Sequence, residues 1–159
     1  MSISIREPIK SDAKHIYKLV KDTNVLDVNS EYLYLLQTTH FREFCSVALL
    51  EEEVVGFTSG YLIPNQEDTL FIWQVAVDSK MRGEGLAGKM IMDILQRASA
   101  KNVKTIHTTI SPSNSSSQKL FEKLSKNYGV SFEKETMFEI SDFNDAHEDE
   151  VLYKIELKK

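Results

Sequence analysis

WQVAVDSKMRGEGLAGKM, residues 73–90, is the stretch that decides the fold, because in it an apolar strand runs into a glycine-rich turn that opens a helix. Several phosphate-binding patterns overlap in this turn. Gly83, Gly85 and Gly88 give G-x-G-x-x-G, the pattern of dinucleotide-binding turns. Gly83, Gly88 and Lys89 give most of a Walker A motif. Each pattern predicts a different chemistry, so the rest of the chain has to discriminate between them.

Each of these two patterns requires a further residue that this chain lacks. A dinucleotide-binding turn needs an acidic residue about 20 residues further on to bind ribose, and VKTIHTTIS (103–111) has no carboxylate. A Walker A motif needs Ser or Thr after its lysine, where this chain has Met90. A third pattern, R-x-x-G-x-A from Arg82, Gly85 and Ala87, is typical of an acetyl-CoA loop. A plain tight turn with a glycine-rich helix start is the remaining alternative.

The context of the turn favours the third pattern. Glycines let backbone amides approach a ligand without Cβ interference. The helix start then presents unpaired N–H groups and a partial positive charge to a pyrophosphate. Lys80, Arg82 and Lys89 cluster here in a chain of net charge -5. A locally basic loop in an acidic chain suits an anionic cofactor and a cationic co-substrate.

The composition predicts one domain, 1–159, with 42% hydrophobic and 27% charged residues. The negative net charge gives no reason to expect nucleic acid or an anionic membrane as a partner. No apolar stretch reaches the roughly 18 residues of a membrane span, and the start shows no signal-peptide pattern. Cys45, the single cysteine, excludes an intramolecular disulfide and fits a reducing cytoplasm. Its apolar surroundings, FCSVALL, predict a buried strand residue.

The hydrophobic periodicity predicts the element order βααβββαβαββ, a mixed sheet with helices on both sides. The strands are predicted at 2–8, 45–50, 54–63, 69–77, 103–110, 130–140 and 150–157. The helices are predicted at 13–22, 30–41, 84–100 and 116–126, with Ser30 capping the second and Ser113 or Asn114 the fourth. Loops are predicted at 23–29, 64–68 and 141–149. The strand at 69–77 is apolar enough to be central and covered on both faces.

A resemblance to a known family rests on this turn and this order. VDSKMRGEGLAGKMI (77–91) resembles the acetyl-CoA loop of the GCN5-related N-acetyltransferases, and the element order matches their α/β fold, a mostly antiparallel mixed sheet flanked by helices. The helix-opening Asn114 is similar to theirs. Five blocks also resemble the branch of this family that acetylates L-2,4-diaminobutyrate in ectoine synthesis: LDVNSEYLYLLQTTHF, VVGFTSGYLIP, DTLFIWQVAVDSKMRGEGLA, TTISPSNSSSQKLF and HEDEVLYKI.

The resemblance implies an enzyme that moves an acetyl group from acetyl-CoA to the γ-amine of L-2,4-diaminobutyrate. It also implies a cytoplasmic homodimer in the osmotic stress response. No metal is expected, because His147, Glu148 and Glu150 lie in one loop without a second ligand cluster. Two alternatives stay open. One keeps the fold and acetylates a polyamine, an aminoglycoside or a protein lysine, and the other is a non-enzymatic acetyl-CoA sensor.

The cofactor residues follow from the resemblance. In this fold the pantetheine amides pair with the fourth strand as an extra strand would, and the pyrophosphate binds the glycine-rich turn. The backbone amide near Val75 would stabilise the tetrahedral oxyanion. The predicted cofactor residues are Gln74, Val75, Ala76, Val77, Arg82, Gly83, Glu84, Gly85, Leu86, Ala87, Gly88, Asn114 and Phe121.

The acceptor carries two ammonium groups and one carboxylate, so its pocket needs acidic and aromatic side chains. The predicted substrate residues are Asp27, Tyr32, Trp73, Thr108, His147 and Glu150, with Thr109 beside them. The predicted catalytic residues are Val75, for its amide, and Asp27, Glu150 and His147 as candidate bases. The other loop acids, Asp142, Asp145, Glu148 and Asp149, are expected to form a solvated turn.

One position departs from the family pattern. Many of these acetyltransferases place a tyrosine seven residues after the helix-opening asparagine, as the acid that protonates the departing thiolate, and this chain has Phe121 there. The usual acid is therefore absent from that position. A thiol has a pKa of about 8.5, so departure as thiolate or protonation by water is chemically feasible. The amine, with a pKa of about 10.4, must lose a proton before attack.

Overall fold

The computed structural model describes residues 2–24 and 26–158. Over these residues the predicted order of strands and helices is confirmed. The predicted loop at 23–29 includes Val25, which lies outside the described residues. The elements are β1 (Ile3–Arg6), α1 (Ala13–Asp22), α2 (Glu31–Gln37), β2 (Ser46–Leu50), β3 (Glu53–Ile63), β4 (Gln66–Val77), α3 (Leu86–Leu95), β5 (Thr105–Ile110), α4 (Ser115–Tyr128), β6 (Gly129–Phe138) and β7 (Glu150–Leu157).

The strands form a seven-stranded sheet in the order β1-β2-β3-β4-β5-β7-β6. The pairs β1–β2, β2–β3, β5–β7 and β6–β7 are antiparallel. The last strand of the chain therefore lies between β5 and β6. Its register places Leu152 opposite Thr109 and Val151 opposite Ile110, which brings Glu150, the first residue of β7, to the end of β5.

Two compact units divide the described chain. The first unit contains the residues up to Tyr61 together with Ile72–Asn102, and the second unit contains Leu62–Phe71 and the residues from Val103 onward. The strand β4 contributes its first half to the second unit and its second half to the first unit.

In the first unit, α1 and α3 cover opposite faces of the sheet. Successive residues of a strand point to opposite faces, and Val47 and Ala48 of β2 belong to different core clusters. The cluster containing Val47 includes the α1 residues Ile16, Leu19 and Val20. The cluster containing Ala48 includes the α3 residues Leu86 and Met90. The glycine-rich turn is therefore anchored by a helix whose first residue, Leu86, is buried.

In the second unit, α4 packs against β6 and β7. Asn114 rather than Ser113 is the N-cap, because its side chain accepts a hydrogen bond from the Ser117 amide at 3.1 Å. Phe121 and Leu124 are the buried residues of the helix. The helix runs directly into β6 at Gly129.

Two predicted helices end earlier in the structure, and side-chain hydrogen bonds accompany each end. The helix α2 ends at Gln37, and after it the hydroxyl of Thr39 donates to the carbonyl of Leu35 at 2.7 Å, while the amide of Thr39 turns to the carbonyl of Leu36 at 3.2 Å. The helix α3 ends at Leu95, and a separate 3-10 turn covers Ala98–Ala100.

The second of these ends is fixed by Arg97. This residue has an extended backbone, with ψ of 152°. Its guanidinium donates to the carbonyl of Cys45 at 2.6 Å and to the carboxylate of Asp93 at 2.5 Å. The arginine thus ties the end of α3 to the start of β2 instead of continuing the helix.

The predicted loop at 64–68 is shorter than expected. Asn65 adopts a left-handed backbone, with φ of 67°, so a two-residue turn suffices and β4 begins at Gln66. Gln66, Glu67 and Asp68 are exposed strand residues, which is why their composition predicted a loop. Cys45 is buried as predicted, and it lies one residue before β2. No helix of the described residues is long and apolar enough to cross a membrane.

Candidate active site

The glycine-rich turn follows the last residue of β4. The amide of Asp78 donates to the carbonyl of Val55 at 2.8 Å, and its carboxylate accepts from the amide of Lys80 at 3.0 Å. The chain then takes two left-handed backbone conformations, at Gly83 with φ of 81° and at Gly85 with φ of 70°. Residues other than glycine rarely adopt this region, so the path of the backbone favours glycine at both positions.

The start of α3 presents free hydrogen-bond donors. Gly85 is the N-cap residue and has no side chain that could accept from them. The first helical bond runs from the amide of Lys89 to the carbonyl of Gly85 at 3.2 Å, and the preceding amides of the helix have no partner inside it. A Cβ built on Gly83, Gly85 or Gly88 meets nothing within 4 Å. Space and donors together fit an anionic group.

Two of the three predicted cations remain available at this turn. The ammonium of Lys80 lies 2.9 Å from the carboxylate of Glu53, and this hydrogen bond raises the pKa of Lys80. Arg82 and Lys89 are exposed. Among the described residues, no carboxylate lies within 4.0 Å of either side chain. The positive charge available to an anion therefore comes from Arg82, Lys89 and the helix start.

The backbone amides in the second half of β4 point alternately toward β3 and away from it. The amide of Gln74 donates to the hydroxyl of Ser59 on β3 at 3.1 Å. Successive peptide groups of a strand point to opposite edges, so the amide of Val75 faces the edge away from β3. The predicted burial of this strand on both faces is wrong at Trp73, which is 46% exposed and packs edge-on against Tyr61 with ring centroids 6.2 Å apart.

The loop before α2 is tied to β4 through one side chain. The amide nitrogen of Gln74, Nε2, donates to the carbonyl of Asp27 at 2.8 Å, and its Oε1 accepts from the hydroxyl of Tyr34 at 2.9 Å. Tyr34 is fully buried, and burial raises the pKa of its hydroxyl. The carboxylate of Asp27 is exposed, and Tyr32 is 69% exposed. The structure thus fixes the backbone at Asp27 and leaves both predicted side chains accessible.

In the second unit, the structure pairs Glu150 with a threonine. The hydroxyl of Thr109 donates to Oε1 of Glu150 at 2.9 Å. This contact follows from the β5–β7 register, which sets the two residues at the same end of the strand pair. Thr108, the predicted substrate residue, is only 3% exposed and lies opposite Tyr153. The hydroxyl that meets Glu150 is therefore that of Thr109.

The loop between β6 and β7 holds His147 in place. The ring of His147 stacks on Phe143 with centroids 3.8 Å apart, and its Nδ1 lies 2.5 Å from the carbonyl oxygen of Glu148. The carboxylate of Glu148 in turn accepts from the amide of Ser113 at 3.0 Å and from the hydroxyl of the same residue. The loop is thereby joined to the turn that precedes α4.

Asp142, Asp145 and Glu148 are exposed, as expected of a solvated turn, and three of the four loop acids also accept hydrogen bonds from backbone amides. Besides Glu148, Asp142 accepts from the amide of Glu139 at 2.8 Å and Asp149 accepts from the amide of Ile140 at 2.9 Å. Carboxylates that accept backbone amides order a turn. These acids therefore shape the loop that carries His147.

Asn114 and Phe121 have structural roles in α4. The Oδ1 atom of Asn114 is engaged in capping, so its amide nitrogen is the group that remains for a ligand. The ring of Phe121 is 2% exposed. Among the described residues, no group of three or more His, Cys, Asp or Glu side chains could hold a metal ion.

Sequence reasoning missed Tyr34, Ser59 and Ser113 as residues that support the site. Tyr34 carried a usable signal. Tyr32 and Tyr34, two apart on a short helix, lie on different faces, so the two were not expected to be equally exposed. The bonds of Ser59 and Ser113 depend on strand pairing and loop closure, and local sequence gives no signal for either.

A strand, a left-handed glycine turn and a helix start with open donors form the acetyl-CoA-binding site in one class of enzymes. The chain belongs to the acetyltransferase (GNAT) family, whose model matches residues 13–125. Its sheet is the mostly antiparallel sheet of that fold, flanked by helices.

Several members of this family that are similar to the chain share one enzyme name. The chain is 42% identical to the L-2,4-diaminobutyric acid acetyltransferase of Methylotuvimicrobium alcaliphilum over 154 residues, 96% of this chain and 90% of that protein. It is 42% identical over 155 residues to the enzyme of the same name from Chromohalobacter salexigens, 97% of this chain and 81% of that protein. The solved diaminobutyrate acetyltransferase EctA of Paenibacillus lautus, in complex with L-2,4-diaminobutyric acid and coenzyme A, superposes with a TM-score of 0.94 at 34% identity, covering 98% of this chain and 95% of that one. The resemblance inferred from the sequence is confirmed.

Proposed function

We propose that this protein transfers the acetyl group of acetyl-CoA to the γ-amino group of L-2,4-diaminobutyrate. The product, Nγ-acetyl-L-2,4-diaminobutyrate, serves the synthesis of ectoine, a compatible solute of the osmotic stress response. The observation that carries this proposal is the match, over 98% of the chain, to a structure that contains this substrate together with coenzyme A. Relatives at 42% identity that carry the same enzyme name support it.

The cofactor contacts follow from the glycine-rich turn. The pyrophosphate of acetyl-CoA is proposed to bind the open amides of the segment Arg82–Gly88, with Arg82 and Lys89 adding positive charge. The pantetheine is proposed to pair with the amides of Val75 and Val77, which face the edge away from β3. The amide of Gln74 already donates to Ser59, so Gln74 and Ala76 shape the strand and leave the pairing to their neighbours. Asn114 and Phe121 stay proposed contacts from α4.

The chemistry uses few groups of the chain. The neutral γ-amine attacks the thioester carbonyl, and the amide of Val75 stabilises the oxyanion of the tetrahedral intermediate. Collapse of this intermediate breaks the carbon–sulfur bond, the thiolate of coenzyme A leaves, and the nitrogen loses its second proton to the thiolate or to water, which gives the neutral amide. Asp27, Glu150 or His147, directly or through water, takes the proton that the ammonium loses before attack.

The acceptor is proposed to be recognised by charge and by aromatic walls. Its ammonium groups call for carboxylates, and Asp27 and Glu150 are the proposed ones. Trp73 and Tyr32 are accessible aromatic rings that can attract an ammonium by cation–π interaction. Thr109 orients Glu150, and stacking on Phe143 orients His147. Thr108 remains a proposed substrate-binding residue beside them.

The test is a product assay. The protein is incubated with acetyl-CoA and, separately, L-2,4-diaminobutyrate, a polyamine, an aminoglycoside and a lysine peptide, and the products are identified by NMR. We expect diaminobutyrate to be the preferred acceptor and the γ-acetyl isomer to dominate. Preference for another amine, or mainly α-acetyl product, would refute the assignment. Cofactor binding without transfer to any amine would favour a sensor.

We further propose that the chain is a single domain, 1–159, and acts as a cytoplasmic homodimer. The apolar side chains of Val130, Met137 and Phe138 are exposed on β6, at one end of the strand order, and an edge strand with exposed apolar side chains is a place where a second chain can pair. A single cysteine fits a reducing compartment. Light scattering after size-exclusion chromatography measures the oligomeric state, and one cooperative unfolding transition is expected for one domain.

A further inference from the structure

A closed set of hydrogen bonds joins the loop before α2 to strand β4. The Nε2 atom of Gln74 donates to the carbonyl of Asp27 at 2.8 Å. The hydroxyl of Tyr34 donates to Oε1 of Gln74 at 2.9 Å and accepts from the amide of Asn29 at 3.4 Å. One glutamine and one tyrosine therefore hold the segment 27–29 at both of its ends.

The direction of each bond is fixed by chemistry. The carbonyl of Asp27 can only accept, so the glutamine must turn its NH₂ group toward it. Oε1 then faces the tyrosine, whose hydroxyl must donate its proton. The oxygen of that hydroxyl is left to accept from Asn29. No alternative orientation of the amide satisfies all three bonds, so the arrangement has a single state.

Both side chains are held by rigid surroundings. The ring of Tyr34 is fully buried and lies edge-on to Tyr17 and to Phe57, with centroids 6.3 and 6.0 Å apart. The backbone of Gln74 is fixed to β3 by Ser59. The loop is thus tied to two fixed points, a core ring and a sheet strand, that sequence alone separates by 40 residues.

Resting on the proposed function, we infer that Gln74 and Tyr34 are positioning residues for the acceptor amine. They fix Asp27, and with it the anionic contact for an ammonium group, relative to strand β4. The next amide of that strand, at Val75, is the proposed oxyanion donor. The distance between the anionic contact and this amide decides which of the two amines of diaminobutyrate reaches the thioester. The pair therefore sets the choice between the γ- and the α-amine.

The first test removes the bonds and keeps the size. Gln74→Leu is expected to raise the KM for diaminobutyrate about tenfold, as loss of hydrogen bonds that order a binding loop implies. It is also expected to increase the share of α-acetyl product, with the KM for acetyl-CoA within about twofold of the wild type. Unchanged KM for diaminobutyrate and unchanged product ratio would overturn the inference.

Tyrosine variants provide the matched comparison. Tyr34→Phe removes the donor to Gln74 and is expected to shift KM and product ratio in the same direction. The double variant should be no worse than Gln74→Leu alone, because both changes break one connected set. Tyr17→Phe removes a hydroxyl from the same aromatic cluster and is expected to leave both readouts unchanged. Equal effects of Tyr17→Phe and Tyr34→Phe would reduce the role to packing and overturn the inference.

A second test uses pH. In Gln74→Glu a carboxylate cannot donate to the carbonyl of Asp27, whereas the protonated acid can. The ratio of variant to wild-type kcat/KM for diaminobutyrate should therefore rise as pH falls. A ratio that is independent of pH, or that falls, would contradict the proposed bond.

Hydrogen exchange separates this inference from the proposed function. Exchange of the amides in 27–34 is expected to be faster in Gln74→Leu than in the wild type, whatever the acceptor is. If the wild type does not acetylate diaminobutyrate, the proposed function fails and the exchange experiment still tests the bonds. If the wild type acetylates diaminobutyrate and exchange is unchanged in the variant, the function stands and the positioning role is wrong.

Discussion

At the scale of single residues, Gly85 carries the strongest backbone constraint in the proposed cofactor site. Its φ of 70° and the empty space around a built Cβ mean that glycine serves both the turn and the approach of a ligand. Phe121 occupies the position where many family members have a tyrosine as the leaving-group acid. Glu150 is a proposed contact for an ammonium group of the acceptor. Each of these residues gives one prediction.

Gly85→Leu should raise the KM for acetyl-CoA by about tenfold or more, because the side chain would occupy the space above the open amides and cost hydrogen bonds to the pyrophosphate. Left-handed backbone at a leucine also costs about 1–2 kcal/mol of stability. Titration calorimetry with acetyl-CoA and thermal unfolding separate the two effects. Gly85→Ala, which adds a Cβ at the same left-handed position without the bulk of leucine, is the control for strain. Wild-type affinity in Gly85→Leu would show that the turn does not bind the cofactor.

Phe121→Tyr should change turnover by less than about tenfold, or roughly 1.4 kcal/mol in barrier. Phe121 is 2% exposed, so the added hydroxyl enters a buried position. Coenzyme A is a good leaving group as thiolate. The measurement is kcat at saturating substrates. A hundredfold gain would show that protonation of the thiolate limits the reaction and that the missing tyrosine matters.

Glu150→Gln should lower kcat/KM for diaminobutyrate about tenfold to 150-fold, because one charge-assisted hydrogen bond is worth about 1.5–3 kcal/mol. The variant can still accept from Thr109, so the shape is kept and the charge is removed. Asp27→Asn should act in the same direction. Acetyl-CoA binding is expected to stay near wild type in both. Wild-type kinetics in both variants would leave the enzyme assignment intact and refute these two substrate contacts.

At the scale of elements, the junction of α4 and β6 depends on one small residue. The helix passes into the strand at Gly129, where a built Cβ lies 2.8 Å from the carbonyl oxygen of Ser125 and 3.0 Å from the Ile155 side chain. A backbone atom cannot move aside as a flexible side chain can. The absence of a side chain at this position therefore sets how closely the helix end approaches β7.

Gly129→Ala should lower the free energy of unfolding by about 1–3 kcal/mol, the usual cost of overpacking. Gly88→Ala is the matched control for stability, because it lies inside α3 with nothing within 4 Å of the new Cβ. It should stabilise the protein by about 0.5–1 kcal/mol through the higher helix propensity of alanine. Chemical denaturation measures both. Equal stability of wild type and Gly129→Ala would mean that the junction relaxes at no cost.

At the scale of the whole molecule, burial of one thiol couples stability to pH. Cys45 has no exposed surface, and burial raises its pKa from 9.0 to about 12. The charge of Arg97 opposes this rise, and Glu7 adds to it. Between pH 9 and 12 the unfolded chain loses the thiol proton and the folded chain keeps it. Stability is therefore fully present below pH 9 and falls as pH rises toward 12.

The free energy of unfolding of the wild type should fall more steeply between pH 9 and 12 than that of Cys45→Ala. The limiting difference in slope is about 1.4 kcal/mol per pH unit. Tyrosines and lysines titrate in both proteins, so their contributions cancel in the comparison. Urea denaturation at several pH values measures the two slopes. Parallel slopes would show that the thiol titrates alike in the folded and unfolded chains.

The sequence by itself determined the order of elements and the glycine-rich turn, because both are local. Apolar periodicity extends over neighbouring residues, and left-handed backbone favours glycine. The family and the substrate class were also accessible, because blocks such as TTISPSNSSSQKLF are specific at the level of residue identity. Element ends were less accessible, since the side-chain bonds of Thr39 and Arg97 at the helix ends are not reflected in periodicity.

Only the tertiary structure decided how the candidate site residues are held. The bond between Gln74 and Asp27 joins residues 47 apart, and the bond between Thr109 and Glu150 joins residues 41 apart. A hydrogen bond requires donor and acceptor within about 3 Å, and that proximity depends on strand register and helix packing together. Composition could therefore nominate Asp27 and Glu150 as carboxylates for a cationic substrate, whereas their partners became visible only once the chain was folded.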